Sequence, residues 1–237
     1  MLGFDTSNYK TSVAVYHPET GVWHSCGKLL EVPLGSLGLR QSDALFQHTK
    51  RLPEIVREAC EKAEGDLCAV GYSSRPRWIE DSYMPCFLAG VSAAESAAAA
   101  AQVPAYACSH QQGHLAAAAF SVDRMDLLDE PFLAWHLSGG TTELLLVKPG
   151  EDGMLQAEII GGTTDISAGQ LIDRAGVALG MPFPAGPYVE AAAKGSASRR
   201  NSRRKCRIAS SRCQVLKISF NNVFRTVWQK KMCVHLF

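Results

Sequence analysis

The chain has 237 residues, 46% of them hydrophobic and 20% charged, with a formal net charge of +1; this suits one large or two modest soluble globular domains. No apolar run approaches the roughly 20 residues of a membrane span, and Met1-Leu2-Gly3-Phe4-Asp5 lacks the basic segment that opens a signal peptide. Eight cysteines without a CxxC pair favour reduced thiols in the cytoplasm over a disulfide framework or a zinc knuckle.

In chain order, Leu2–Phe4 and Ser12–Tyr16 read as strands joined by the polar turn Asp5–Lys10. Val22–Val32 offers a third strand after the turn Pro18–Gly21. Leu45, Leu52, Ile55, Val56 and Ala59 fall at helical spacing within an amphipathic helix over Asp43–Ala63, which Pro53 is expected to kink or split. Leu67–Ser73 is a buried strand, Cys86–Ala101 a small-residue helix, and Val103–Cys108 another strand. The order then restarts: strands Phe132–Leu137 and Glu143–Val147 flank Ser138-Gly139-Gly140-Thr141-Thr142. Met154–Ile160 is a third strand and Ala168–Leu179 a helix.

A strand–turn–strand–turn–strand–helix order that recurs about 130 residues on predicts two similar α/β halves across a cleft. Each polar turn would present N–H groups and hydroxyls suited to phosphate. This is the architecture of the actin-like ATPase and sugar-kinase superfamily. The expected division is a first half over 1–121, the start of a truncated second half over 131–193, and a basic tail over 194–237.

The stretch carrying most chemistry is Ser109-His110-Gln111-Gln112-Gly113-His114, which opens an Ala-rich helical run. Histidines four apart point to one side of a helix and can grip one divalent cation; two polar residues at a helix start are the plainer alternative. A zincin peptidase needs Glu directly after the first His as general base, and Gln111 stands there, which disfavours a metallopeptidase.

Leu2–Ser7, the His110/His114 pair, Ser138–Thr142 and Gly161–Gly186 (GGTTDISAGQLIDRAGVALGMPFPAG) together resemble the tRNA threonylcarbamoyladenosine synthase family, formerly called O-sialoglycoprotein endopeptidase or glycoprotease. The motifs run from Leu2 to about Ala193. The resemblance implies metal-binding histidines at His110 and His114, holding Fe²⁺ or Zn²⁺. It implies a substrate-binding turn at His136, Leu137, Ser138, Gly139 and Gly140, and nucleotide contacts at Asp173 and Gly186. The reaction implied is transfer of a threonylcarbamoyl group from its adenylate to the exocyclic amine of a tRNA adenosine beside the anticodon. The implied partners are tRNA and sister subunits of a threonylcarbamoylation complex, with no membrane; no catalytic residue is assigned. An inactive actin-like scaffold binding nucleotide or a partner is the alternative.

The chain departs from the family at Gln112 (usually Glu), at Thr141-Thr142-Glu143 (usually His-Thr-Gln) and at Leu39–Asp43 (usually a Val-Pro-Glu segment), as a divergent paralogue would. Plainer roles also fit single residues: Asp173 as a solvent-facing helix residue, Gly186 as turn punctuation, His48 as a helix-surface residue. Arg75-Pro76-Arg77-Trp78 reads as loop rather than as a nucleic-acid stacking platform.

Charge is divided unevenly. Residues 191–237 hold 12 of the 24 Lys and Arg and no acid, leaving 12 basic against 23 acidic side chains in 1–190. Such a tail suggests RNA binding, but it begins abruptly where the family motifs stop, as a change of reading frame would produce. Back-translating Arg207–Ser219 one base out of frame permits Asp-Cys-Lys-Phe-Thr-Leu-Ser-Gly-Leu-Glu-Asn-Gln, similar to the family's Phe-Ser-Gly-Leu continuation. The expectation is an out-of-frame tail that contributes no site residue, a missing carboxylate ligand, and an impaired or inactive product.

Overall fold

A computed structural model of the chain describes residues 1–7, 9–32, 39–151 and 153–194. The basic segment 195–237, and with it the expectation of an out-of-frame tail, lies outside the described residues. The chain divides into two compact units, Met1–Ala117 and Ala118–Phe237.

The first unit is built on a five-stranded sheet. Strands β1 (Leu2–Asp5), β2 (Lys10–Tyr16), β3 (Trp23–Leu29), β4 (Val70–Arg75) and β5 (Ala105–Ser109) lie in the order β3-β2-β1-β4-β5. β1, β2 and β3 pair antiparallel, while β4 and β5 run parallel to β1. Parallel neighbours need a long crossover, and two helices supply it: α1 (Gln41–Cys60) between β3 and β4, α2 (Phe87–Ala101) between β4 and β5. Alternation decides the buried face. Leu2 and Phe4, Val13 and Val15, and Val70 and Tyr72 turn inward to meet Leu52, Ile55 and Ala59 of α1 and Ala89, Ala94 and Ala98 of α2. Each large aliphatic or aromatic side chain buried there contributes about 1.5–3 kcal/mol.

Two expectations need correction here. Pro53 does not split the helix, which runs unbroken through it from Gln41 to Cys60; burial of Leu52 and Ile55 on either side of it offsets the hydrogen bond that proline cannot donate. His48 is not a surface residue. It is fully buried, with Nδ1 2.8 Å from the Thr11 hydroxyl of β2, a hydrogen bond that makes burial of the ring tolerable.

The second unit is an antiparallel meander of β6 (Phe132–Leu137), β7 (Thr142–Pro149) and β8 (Leu155–Gly162), followed by α4 (Ala168–Ala178) and α5 (Gly186–Lys194). Leu145, Val147 and Leu155 are its buried strand residues. The meander and the helix after it repeat the order β1–β2–β3–α1, so the chain is α/β with one supersecondary unit used twice, as in the actin-like fold. Helix α3 (His110–Ser121) begins in the first unit and continues past the division. The short turn Met125–Leu128 and α5 were not anticipated from the sequence. Among the described residues no helix is long and apolar enough to cross a membrane.

Candidate functional site

The histidines sit where β5 passes directly into α3. Ser109 ends the strand, and its hydroxyl accepts from the Gln112 N–H at 3.2 Å while the Gln112 side-chain oxygen accepts from the Ser109 N–H at 2.7 Å. This is a reciprocal capping box, satisfying two backbone donors at the helix start. Gln112 therefore shapes the helix N-terminus, a role either Gln or Glu can fill. Gln111, at the zincin base position, is buried, and its backbone N–H donates to the Pro76 carbonyl at 3.0 Å.

The cap brings the two imidazoles together. Nε2 of His110 and Nε2 of His114 lie 2.8 Å apart, their ring planes inclined at 72°. On its other side His110 places Nδ1 2.6 Å from Asp5 Oδ2. Asp5 ends β1, and its carboxylate also accepts from the Ser7 N–H at 2.7 Å and from the Ser73 hydroxyl of β4 at 3.1 Å. The β4–β5 register shifts just beyond Ser73, a bulge of the kind that re-aims side chains near sites. Burial pushes the Asp5 carboxyl up, but the hydrogen bond and charge of His110, with the Ser7 contacts, outweigh it and hold the pKa at about 2. Burial likewise raises the neighbouring Cys108 thiol, which stays a thiol.

Two neutral imidazole nitrogens on a zinc ion at about 2.0–2.1 Å stand roughly 3.3 Å apart in tetrahedral geometry. The pair at 2.8 Å reaches that spacing by opening about half an ångström, and His114 is exposed and able to give. The donor set therefore fits two positions of a cation site. Among the described residues no group of three or more His, Cys, Asp or Glu could hold a metal ion.

In the second unit the residues assigned to substrate gather around the β6–β7 turn. Ser138 folds it inward: its hydroxyl accepts from the N–H groups of Gly140 and Thr141 at 3.1 and 2.9 Å. Two donors that the phosphate expectation assigned to the turn are thus committed within it. The start of α4 lies against the same turn. Ser167, its N-cap, donates to the Gly139 carbonyl at 2.6 Å, and the Gly169 N–H donates to the Ser138 carbonyl at 3.1 Å. A Cβ on Gly169 would stand 2.7 Å from Gly139 Cα and from the Ser138 oxygen, so only glycine admits this approach. His136 faces Glu143 across the β6–β7 pair, Nδ1 to Oε2 3.4 Å, and Leu137 is exposed.

Asp173 is half-buried, and its Oδ1 accepts from the Ala185 N–H at 2.8 Å, tying α4 to the loop before α5. Gly186 follows as the first residue of α5, and a Cβ there would meet nothing within 4 Å. Arg75 lies over the Trp78 ring at 5.0 Å from its centroid. Sequence reasoning thus found the histidines and missed Asp5, Ser73, Ser167 and Gly169. The Ser-x-x-Gln spacings at 109–112 and 167–170 were legible capping signals; nothing in the sequence joined residue 5 to residue 110.

The first unit thus carries a buttressed histidine pair at a helix start, and the second a glycine turn clamped by a helix. Residues 38–235 match the profile of TsaD, tRNA N6-adenosine threonylcarbamoyltransferase, and the chain belongs to that family. The match runs past residue 193, where the recognisable motifs stop. A tRNA N6-adenosine threonylcarbamoyltransferase from Sulfurihydrogenibium sp. (strain YO3AOP1) is 32% identical over 199 residues, covering 82% of this chain and 55% of the relative; the chain spans about half of that protein's length. Among solved structures, YeaZ from Pseudomonas aeruginosa is similar with TM-score 0.41 and 19% identity over 71% of this chain and 67% of that one. The ethanolamine utilization protein EutJ from Carboxydothermus hydrogenoformans gives 0.42 and 14% over 80% and 60%.

Proposed function

We propose that this chain serves the N6-threonylcarbamoylation of tRNA adenosine in the cytoplasm, receiving the threonylcarbamoyl group from its adenylate and working beside sister subunits of the same pathway. The observation that carries the proposal is the convergence of the His110 and His114 Nε2 atoms in a chain of this family. In the reaction the adenosine N6 attacks the carbamoyl carbon, the bond from that carbon to the phosphate oxygen breaks, AMP leaves with the electron pair, and N6 gives up one proton to solvent.

His110 and His114 would hold one divalent cation, Fe²⁺ or Zn²⁺, which when bound supplies charge stabilisation at the carbonyl or phosphate oxygen. The capping box fixes both rings on one side of α3. Ser138, Gly139 and Gly140, with His136 and Leu137 before them, form the substrate turn, and the α4 clamp keeps that turn from rearranging. Asp173 and Gly186 border the nucleotide. The test is transfer of labelled threonine from threonylcarbamoyl-adenylate to unmodified tRNA by the purified chain, alone and with its sister subunits. Label in tRNA that is lost in the His110→Ala, His114→Ala double variant supports the proposal; no label under any combination, including a chain whose reading frame is restored after residue 194, defeats it.

A second reading is favoured by a specific observation. With two imidazoles and no third ligand at the candidate cation site among the described residues, and two turn N–H groups already used, a nucleotide- or partner-binding scaffold without transfer also fits. Adenylate binding with no transfer by a chain that pulls down sister subunits would select it. For residues 194–237 we further propose a change of reading frame with loss of activity. Sequencing the DNA across the codons for Ala193–Arg200 tests this, and a clean in-frame sequence, in keeping with a profile match that continues to residue 235, ends it.

A further inference from the structure

We infer that Asp5 is a positioning residue for the histidine pair: its carboxylate holds His110 in the Nδ1–H form and so aims an unprotonated Nε2 at His114. The inference rests on the proposed cation-binding role of the two histidines, and extends it to a residue 105 positions away in the chain.

The geometry leaves little freedom. Asp5 Oδ2 stands 2.6 Å from His110 Nδ1, a charge-assisted distance. The carboxylate is itself fixed by the Ser7 N–H on one oxygen and the Ser73 hydroxyl on the other. Both of those groups donate, so the carboxylate is an acceptor on every side. A carboxylate that accepts on both oxygens acts as an ionised acceptor, and an ionised carboxylate has no proton to give. The proton in the Asp5–His110 bond therefore belongs to Nδ1. A neutral imidazole carries one N–H, so Nε2 presents its lone pair, and it does so toward His114 Nε2 at 2.8 Å. Phe87 stands edge-on to the His110 ring with centroids 6.3 Å apart, which limits its swing. A carboxylate behind a ligand histidine fixes its tautomer and raises its basicity, and its loss typically costs ten- to a hundredfold in metal affinity.

Two measurements test this on the full chain. Long-range ¹H–¹⁵N correlation on the metal-free protein near neutral pH reads the tautomer directly: the expected result is a protonated Nδ1 and a bare Nε2 on His110. An Nε2–H tautomer overturns the inference, whatever the variants do. Titration with Zn²⁺ alone then compares wild type, Asp5→Ala, His110→Ala and the double variant. Asp5→Ala should weaken Zn²⁺ binding ten- to a hundredfold and have no further effect once His110 is gone, because the two act through one bond. Asp5→Glu should recover part of the loss. An Asp5→Ala that binds Zn²⁺ like wild type, or that weakens it equally with and without His110, overturns the inference. Should Asp5→Ala not fold, the wild-type tautomer and the Asp5→Glu titration still decide. If wild type shows the expected tautomer but binds no Zn²⁺, the cation-binding proposal fails while the positioning of His110 by Asp5 stands.

Discussion

Asp5 accepts hydrogen bonds from three parts of the fold, and that has a consequence for stability. Its folded pKa of about 2 lies below the ordinary 3.8, so between those values the unfolded chain binds the extra proton. The contribution is therefore complete above about pH 4 and is lost as pH falls toward 2. Acid unfolding followed by circular dichroism should be shallower over pH 4–2 for Asp5→Asn than for wild type; identical slopes would mean that the carboxylate is not held as described. Gln112 makes a second residue-scale prediction. Gln112→Ala should cost about 1 kcal/mol, as removal of a helix cap does, and Gln112→Glu should cost little, both read from urea midpoints. The two residues differ in legibility. Ser109-x-x-Gln112 is a local pattern that the sequence displays openly, whereas Asp5 was placed in a polar turn because nothing local distinguishes a carboxylate aimed at a histidine 105 residues on.

At the scale of elements, the sequence pattern located every strand of both meanders and the first, second and fourth helices, most directly where apolar residues bury one face, as in β1, β2 and α1. It misjudged Pro53, since a proline's local cost says nothing of the packing that outweighs it, and it passed over α5, whose nine residues bury no side chain. Gly180 at the end of α4 has φ +80°, the left-handed turn that stops a helix and that glycine adopts at no steric cost. The sharpest element-scale prediction concerns the contact between α4 and the β6–β7 turn. Gly169→Ala should force the two backbones apart, costing about 1–3 kcal/mol and lowering the melting temperature. Gly139→Ala, where a Cβ meets nothing within 4 Å, should leave it nearly unchanged. Equal effects from the two would show that the turn and the helix are not in contact.

Across the whole molecule, burial is unevenly shared. Leu2, Phe4, Val13, Val15, Leu52, Ile55, Val70 and Tyr72 of the first unit form one continuous core, while the second unit's described strands bury Leu145, Val147 and Leu155. Amides of β1, β2 and β4 should therefore exchange with deuterium most slowly and those of β6–β8 sooner; the reverse order would place the stable core elsewhere. Phe87→Ala, which empties a fully buried position at the start of α2, should cost about 3–5 kcal/mol.

The same sheet sets the timing of the site. Asp5 and His110 meet only after β1, β4 and β5 have paired in parallel, and parallel pairing is among the slower steps in folding because long loops must close first. A nascent or partly folded chain therefore carries the His-x-x-x-His segment without its carboxylate, as a peptide with ordinary, mixed tautomers. The Asp5–His110 contact forms only when the last parallel strand is in place, so the maturity of the sheet and the buttressing of the histidine pair are a single event.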